Sequence, residues 1–89
     1  MTQDTFTTRA GQVLSVNALC DGGDQGCGGG LLILILQAIK RLDSGNILEI
    51  RSTDAGVRED LPAWCRMTGH LLLAEQEGEL HNRYFVRKG

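Results

Sequence analysis

Between Asp21 and Gly30 the chain can continue neither a strand nor a helix. Asp21 to Gly26 holds three glycines and two aspartates in six residues, and Gly28, Gly29 and Gly30 follow Cys27. Glycine loses the most backbone entropy on ordering and has no side chain to pack, so this stretch reads as a loop. It divides two patterned segments. From Val13 the chain alternates, with Leu14, Val16, Ala18 and Cys20 on one face of a strand. From Leu31 to Leu42 the period lengthens. Leu31, Leu32, Ile35, Ala38, Ile39 and Leu42 share one side of a helix, and Gln37, Lys40 and Arg41 lie opposite. The run 31–36 taken alone also suits a strand, but the polar spacing from Gln37 onward favours the helix.

Asp43-Ser44-Gly45 ends that helix, with Gly45 near the C-terminal cap. Ile47 to Ser52 alternates as a second strand, Leu48 and Ile50 on one face and Glu49 and Arg51 on the other. A strand–helix–strand unit of this length implies parallel pairing through a right-handed crossover. Asp54-Ala55-Gly56 is a turn, and Asp60 reads as an N-cap with Pro62 in the first turn of a second helix. This helix runs to about Thr68, stops at Gly69, and presents Leu61, Trp64, Cys65 and Thr68 inward. Leu71 to Gln76 and Leu80 to Arg87 form a hairpin joined through Glu77-Gly78-Glu79. The expected fold is α+β, a two-layer α/β sandwich of order β-α-β-α-β-β with two helices on one face of a mixed four-stranded sheet. The Thr-rich residues 1–11 read as a flexible lead-in and 12–89 as a single domain.

Cys27 stands where the loop meets the first helix. A thiol there faces unpaired backbone N–H groups and the positive end of the helix dipole, and both favour thiolate. The backbone of Gly26, Gly28, Gly29 and Gly30 leaves room for a large partner and offers N–H donors to an anion. The net charge of −2 opposes electrostatic binding of nucleic acid. Met1 to Gln12 is polar, without the apolar stretch of a secretory signal, and Leu31 to Leu36 is too short to span a bilayer. Three cysteines, an odd number, do not suit a secreted disulfide scaffold, so a reducing cytoplasm is expected.

The other reactive side chains have plainer readings. Cys20 shares its strand face with apolar residues and reads as a buried thiol, with a resolving role toward Cys27 as the alternative. Cys65, beside Trp64, reads as core. Cys20, Cys27, Cys65, His70 and His81 show no metal-ligand spacing, so no metal site is expected. Gly26 to Gly30 lacks the Gly-Lys-Ser/Thr ending of a phosphate loop. Ile33 and Leu34 point away from the inferred core side of the first helix. An apolar patch beside a reactive thiol suggests docking of a partner or a second copy as a homodimer; cover by a loop is the alternative.

Several segments in order resemble the TusA/SirA-type sulfur carrier (sulfurtransferase) family: Leu48-Glu49-Ile50, Thr53-Asp54, Arg58 through Cys65, Gly69-His70 and Arg87-Lys88-Gly89. Asp21 through Gly26 before Cys27, and Ala38 to Gly45, match more loosely. The resemblance implies that Cys27 carries sulfur as a covalent persulfide, with no other cofactor. It implies a sulfur donor such as a cysteine desulfurase or rhodanese, and an acceptor protein. Where the family has Cys-Pro-x-Pro, this chain has Cys27-Gly28-Gly29-Gly30. Two other readings remain beside the carrier: a non-catalytic interaction module on the same scaffold, and RNA binding by analogy with a translation initiation factor domain.

Overall fold

The computed structural model describes residues 5–8, 10–22 and 30–89. Eight elements follow in order: β1 (Thr5–Thr7), β2 (Val13–Ser15), β3 (Ala18–Asp21), α1 (Leu31–Lys40), β4 (Ile47–Ser52), α2 (Val57–Thr68), β5 (Leu71–Gln76) and β6 (Asn82–Arg87). The main sheet has the order β3-β4-β6-β5. β3 pairs parallel to β4, with Cys20 opposite Ile50, and the other pairings are antiparallel. Leu31, Ile35 and Ile39 of α1 and Val57, Leu61 and Cys65 of α2 pack in one cluster with Leu48, Ile50, Tyr84 and Val86. Both helices therefore lie on one face of a mixed four-stranded sheet, as the sequence pattern requires.

The opposite face is partly covered too. Thr5–Thr7, expected within an unpatterned lead-in, pairs antiparallel with Val13–Ser15 as a separate two-stranded sheet. Phe6 stacks on Phe85 with ring centroids 4.0 Å apart, and Leu14 and Val16 pack on Ile47, Phe85 and their neighbours. The expected single strand from Val13 to Cys20 is therefore two strands. Asn17 separates them, donating its N–H to the Ile47 carbonyl and accepting from the Ile47 N–H on its side-chain oxygen, both at 2.8 Å. Leu14 and Val16 serve the far-face cluster, while Ala18 and Cys20 serve the helix-face cluster, so the four do not share one face.

Three boundaries also differ. Helix α2 starts one turn before Asp60, because Val57 is buried and Asp54 forms the turn ahead of it, accepting the Gly56 N–H at 3.1 Å. Pro62 thus lies inside the helix, and Thr68 is exposed with its hydroxyl donating to the Trp64 carbonyl at 2.7 Å. Gly45, at φ +91°, shapes the turn into β4, while α1 is capped earlier at Arg41. β6 begins at Asn82, and Leu80 is 84% exposed in the connecting loop. Gly69 ends α2 at φ +81°, a left-handed cap that suits glycine.

Candidate functional site at the start of the first helix

The residues that frame the proposed thiol site are Gly22 and Gly30. Gly22 is buried just past β3, its N–H donating to the Arg51 carbonyl at 2.8 Å. Gly30 is the N-cap of α1 at φ +108°, a left-handed conformation that side chains rarely adopt. Its carbonyl accepts the N–H groups of Ile33 and Leu34, each at 3.1 Å. No acidic residue occupies the first turn of α1, and Gly30 supplies no side-chain cap. The positive end of this helix is therefore not offset by a carboxylate of its own first turn. Gly26, Cys27, Gly28 and Gly29, expected to hold and support the reactive sulfur, lie outside the described residues.

The other two thiols are suited to packing. Cys20 is 7% exposed, and burial, followed by the charge of Asp21, raises its pKa. Burial pushes the Cys65 thiol up to about 11. Both environments oppose thiolate formation and hence nucleophilic sulfur. His70 accepts the Gly89 N–H on Nδ1 at 3.1 Å, and burial, with the nearby charge of Lys88, lowers its pKa. Among the described residues, no three of His, Cys, Asp or Glu converge as a metal site.

Helix α1 also presents an apolar surface. Ile33 is 61% exposed, as its position on the helical wheel predicts, and Leu36 is 40% exposed. Leu34 differs: it is half-buried, packs against the helix-face core, and lines a groove of about 220 Å³ with Leu19, Asp21, Gln37 and Arg41. The wheel placed Leu34 outward because it treats the sheet as flat and infinite. The edge strand β3 instead contributes Leu19, Cys20 and Asp21 to the groove that Leu34 lines, so that side of the helix is partly covered. Leu36 was missed, although its spacing of three from Ile33 was the available signal.

A charged cluster lies on the sheet face away from the helices. Glu49, expected on a polar face, is 3% exposed. It accepts from Arg51 Nε at 2.7 Å and from Arg83 Nε and Nη2 at 3.1 and 3.0 Å. Burial would raise its pKa, but the hydrogen bonds and charges of Arg83 and Arg51 outweigh this and hold it below the usual carboxylate range. Alternation assigned Glu49 its face; nothing local announced that Arg51 and Arg83 would both close on it.

Two helices over one face of a mixed four-stranded sheet define a small two-layer α+β sandwich. The family model described as sulfurtransferase TusA matches residues 30–88, and the chain belongs to that family. The matched stretch begins three residues after Cys27. YrkF of Bacillus subtilis (strain 168) is 50% identical over 52 residues, which cover 57% of this chain and 28% of YrkF. The chain thus spans little more than a quarter of that longer relative. Sulfur carrier protein TusA of Pseudomonas savastanoi pv. phaseolicola (strain 1448A / Race 6) is 35% identical over 57 residues, covering 64% of this chain and 68% of its own length. Sulfur carrier protein TusA of Pseudomonas putida (strain GB-1) is 33% identical over 57 residues, covering 64% and 71%.

Proposed function

We propose that this chain is a sulfur carrier and that Cys27 is its cysteine nucleophile. Family membership over residues 30–88 is the observation that carries the reading. The first turn of α1, free of acidic residues, and the burial of Cys20 and Cys65 support Cys27 as the sulfur that ionises. The Cys27 thiolate attacks the outer sulfur of a donor persulfide, R–S–SH. A new S–S bond forms on Cys27, the donor's S–S bond breaks, and the departing thiolate takes the persulfide proton. The acceptor's thiolate then attacks the outer sulfur and releases Cys27 as thiolate, so neither step needs an external oxidant or acid–base dyad. A cysteine desulfurase or rhodanese suits the donor role. A free thiol of this kind operates in a reducing compartment, which assigns the chain to the cytoplasm. No helix among the described residues is long and apolar enough to cross a membrane.

Ile33, with Leu36, supplies an exposed apolar strip for docking the donor or acceptor, and Leu34 contributes through the groove beside β3. The same strip favours the second reading, a module that binds protein without carrying sulfur. Incubation with a cysteine desulfurase and cysteine, followed by intact-mass measurement, separates them. The carrier gains the mass of one sulfur, and Cys27→Ser does not. No gain with a competent donor, combined with partner binding that survives Cys27→Ser and is lost in Ile33→Glu, would establish the non-catalytic module instead.

A further inference from the structure

We propose that the outer edge of β5 is a docking site for an extended, basic segment of a partner protein, which adds to the sheet as a further antiparallel strand. The order β3-β4-β6-β5 leaves β5 at the end of the sheet, and among the described residues no strand pairs with its outer side. The backbone N–H and C=O groups of such an edge are a template for another chain. Folded proteins commonly blunt an edge with proline, lysine or an inward charge. Leu71-Leu72-Leu73-Ala74-Glu75-Gln76 holds no proline and no lysine, and its carboxylate is exposed. Its one irregularity is a bulge between Leu72 and Ala74, where Leu73 packs toward Phe6 and Phe85.

A groove of about 340 Å³ follows this edge, lined by Thr7 of β1 and by Leu72 through Gln76 of β5. Ala74 and Gln76 pair with Phe85 and Arg83 on the face away from the helices, and Leu72 and Glu75 pair with Val86 and Tyr84 on the helix face. An added strand therefore lays one set of alternate side chains over Thr7, Leu73 and Ala74, and the other set beside Leu72 and Glu75. Charge selects the partner. Glu75, Glu77 and Glu79 are exposed, and Arg58 offsets this group through its ion pair with Glu77. Arg83, bonded to Gln76, is already engaged by Glu49. At the other end, half-exposed Leu71 lies opposite the exposed Arg87 of β6. An antiparallel partner thus carries its lysines or arginines N-terminal to its apolar residues. This edge is at the opposite end of the sheet from β3 and the groove lined by Leu34, so both surfaces can be occupied together. The proposal is independent of which sulfur reacts.

The test uses the full chain and a fluorescein-labelled probe of sequence Lys-Val-Lys-Val-Thr-Val-Thr, its lysines placed to meet Glu75 and its valines to meet Thr7, Leu73 and Ala74. Binding is read by fluorescence anisotropy and mapped by amide chemical shifts, which are expected along Leu71 to Glu77. Two further probes carry N-methyl groups on alternate residues, either the valines or the others. One set faces β5 and blocks the main-chain hydrogen bonds, so that probe is expected to lose binding while the other retains it. Glu75→Lys, a change at an exposed position, is expected to weaken the parent probe about fivefold, the worth of an exposed ion pair. Equal affinity of the two methylated probes overturns the proposal, as does an unchanged affinity in Glu75→Lys. Shifts confined to the groove beside β3, or no binding at millimolar probe, overturn it equally. A dimer in sedimentation whose dissociation on dilution shifts the β5 amides would give the edge to a second copy of this chain and overturn it too.

Discussion

Arg83 of β6 grips Glu49 of β4 through both carboxylate oxygens, at 3.1 and 3.0 Å, across the antiparallel pairing of those strands. Arg83 also lies over the Phe85 ring at 5.1 Å and donates to Gln76 at 3.2 Å, so one guanidinium joins β4, β5 and β6. Replacing Glu49 with Ala leaves two arginines without their shared anion. The expected cost is about 2 kcal/mol, less than for a fully buried pair because water screens the partly exposed guanidiniums. Urea denaturation of wild type and Glu49→Ala measures it.

The same pair sets an acid limit. The folded pKa of Glu49 lies below its ordinary value of 4.5, so the unfolded chain takes up the proton first. The stabilisation is complete above that value and is lost as pH falls through the folded pKa. Unfolding midpoints measured from pH 6 to pH 3 should drop more steeply for wild type than for Glu49→Gln.

His70 works in a higher range. Its pKa is depressed from 6.5, and its Nδ1 must stay unprotonated to accept the Gly89 N–H. The contribution is full above 6.5 and declines as pH falls toward the folded value. Lys88 and Gly89 also tie to the turn before β4, through the Leu42 carbonyl at 2.5 Å and the Ser44 hydroxyl at 2.9 Å. Thermal melts between pH 7.5 and 5 should show a fall in wild type that His70→Asn flattens.

Phe6 is the main attachment of the β1–β2 pair to the sheet. Phe6→Ala should cost about 3 kcal/mol, the low end for a large aromatic truncation because the far-face cluster is small. Calorimetry gives the loss, and increased binding of a hydrophobic dye would report exposure of Phe85.

The three cysteines should separate kinetically. Native protein treated briefly with iodoacetamide at neutral pH is expected to label Cys27 first, with Cys20 and Cys65 labelled only on unfolding. Early modification of Cys65, whose thiol is pushed up to about 11, would contradict its burial against the sheet.

Periodicity alone determined the alternation of strands and helices in this protein: Leu31, Ile35 and Ile39 recur at helical spacing, Leu48 and Ile50 alternate, and Gly69 stops the second helix. These are local preferences, written within a few residues of where they act. Cys27 was read locally too, as a reactive thiol between glycine-rich residues and a helical pattern, and it lies outside the described residues. Only the tertiary structure decided what depends on residues far apart in the chain. Asn17 splits a continuous pattern by bonding to Ile47, Phe6 finds Phe85, Glu49 is enclosed by Arg51 and Arg83, and Gly22 abuts Leu31. Contacts of this kind are set by how strands align and layers cover one another, and local sequence preferences carry no record of that alignment.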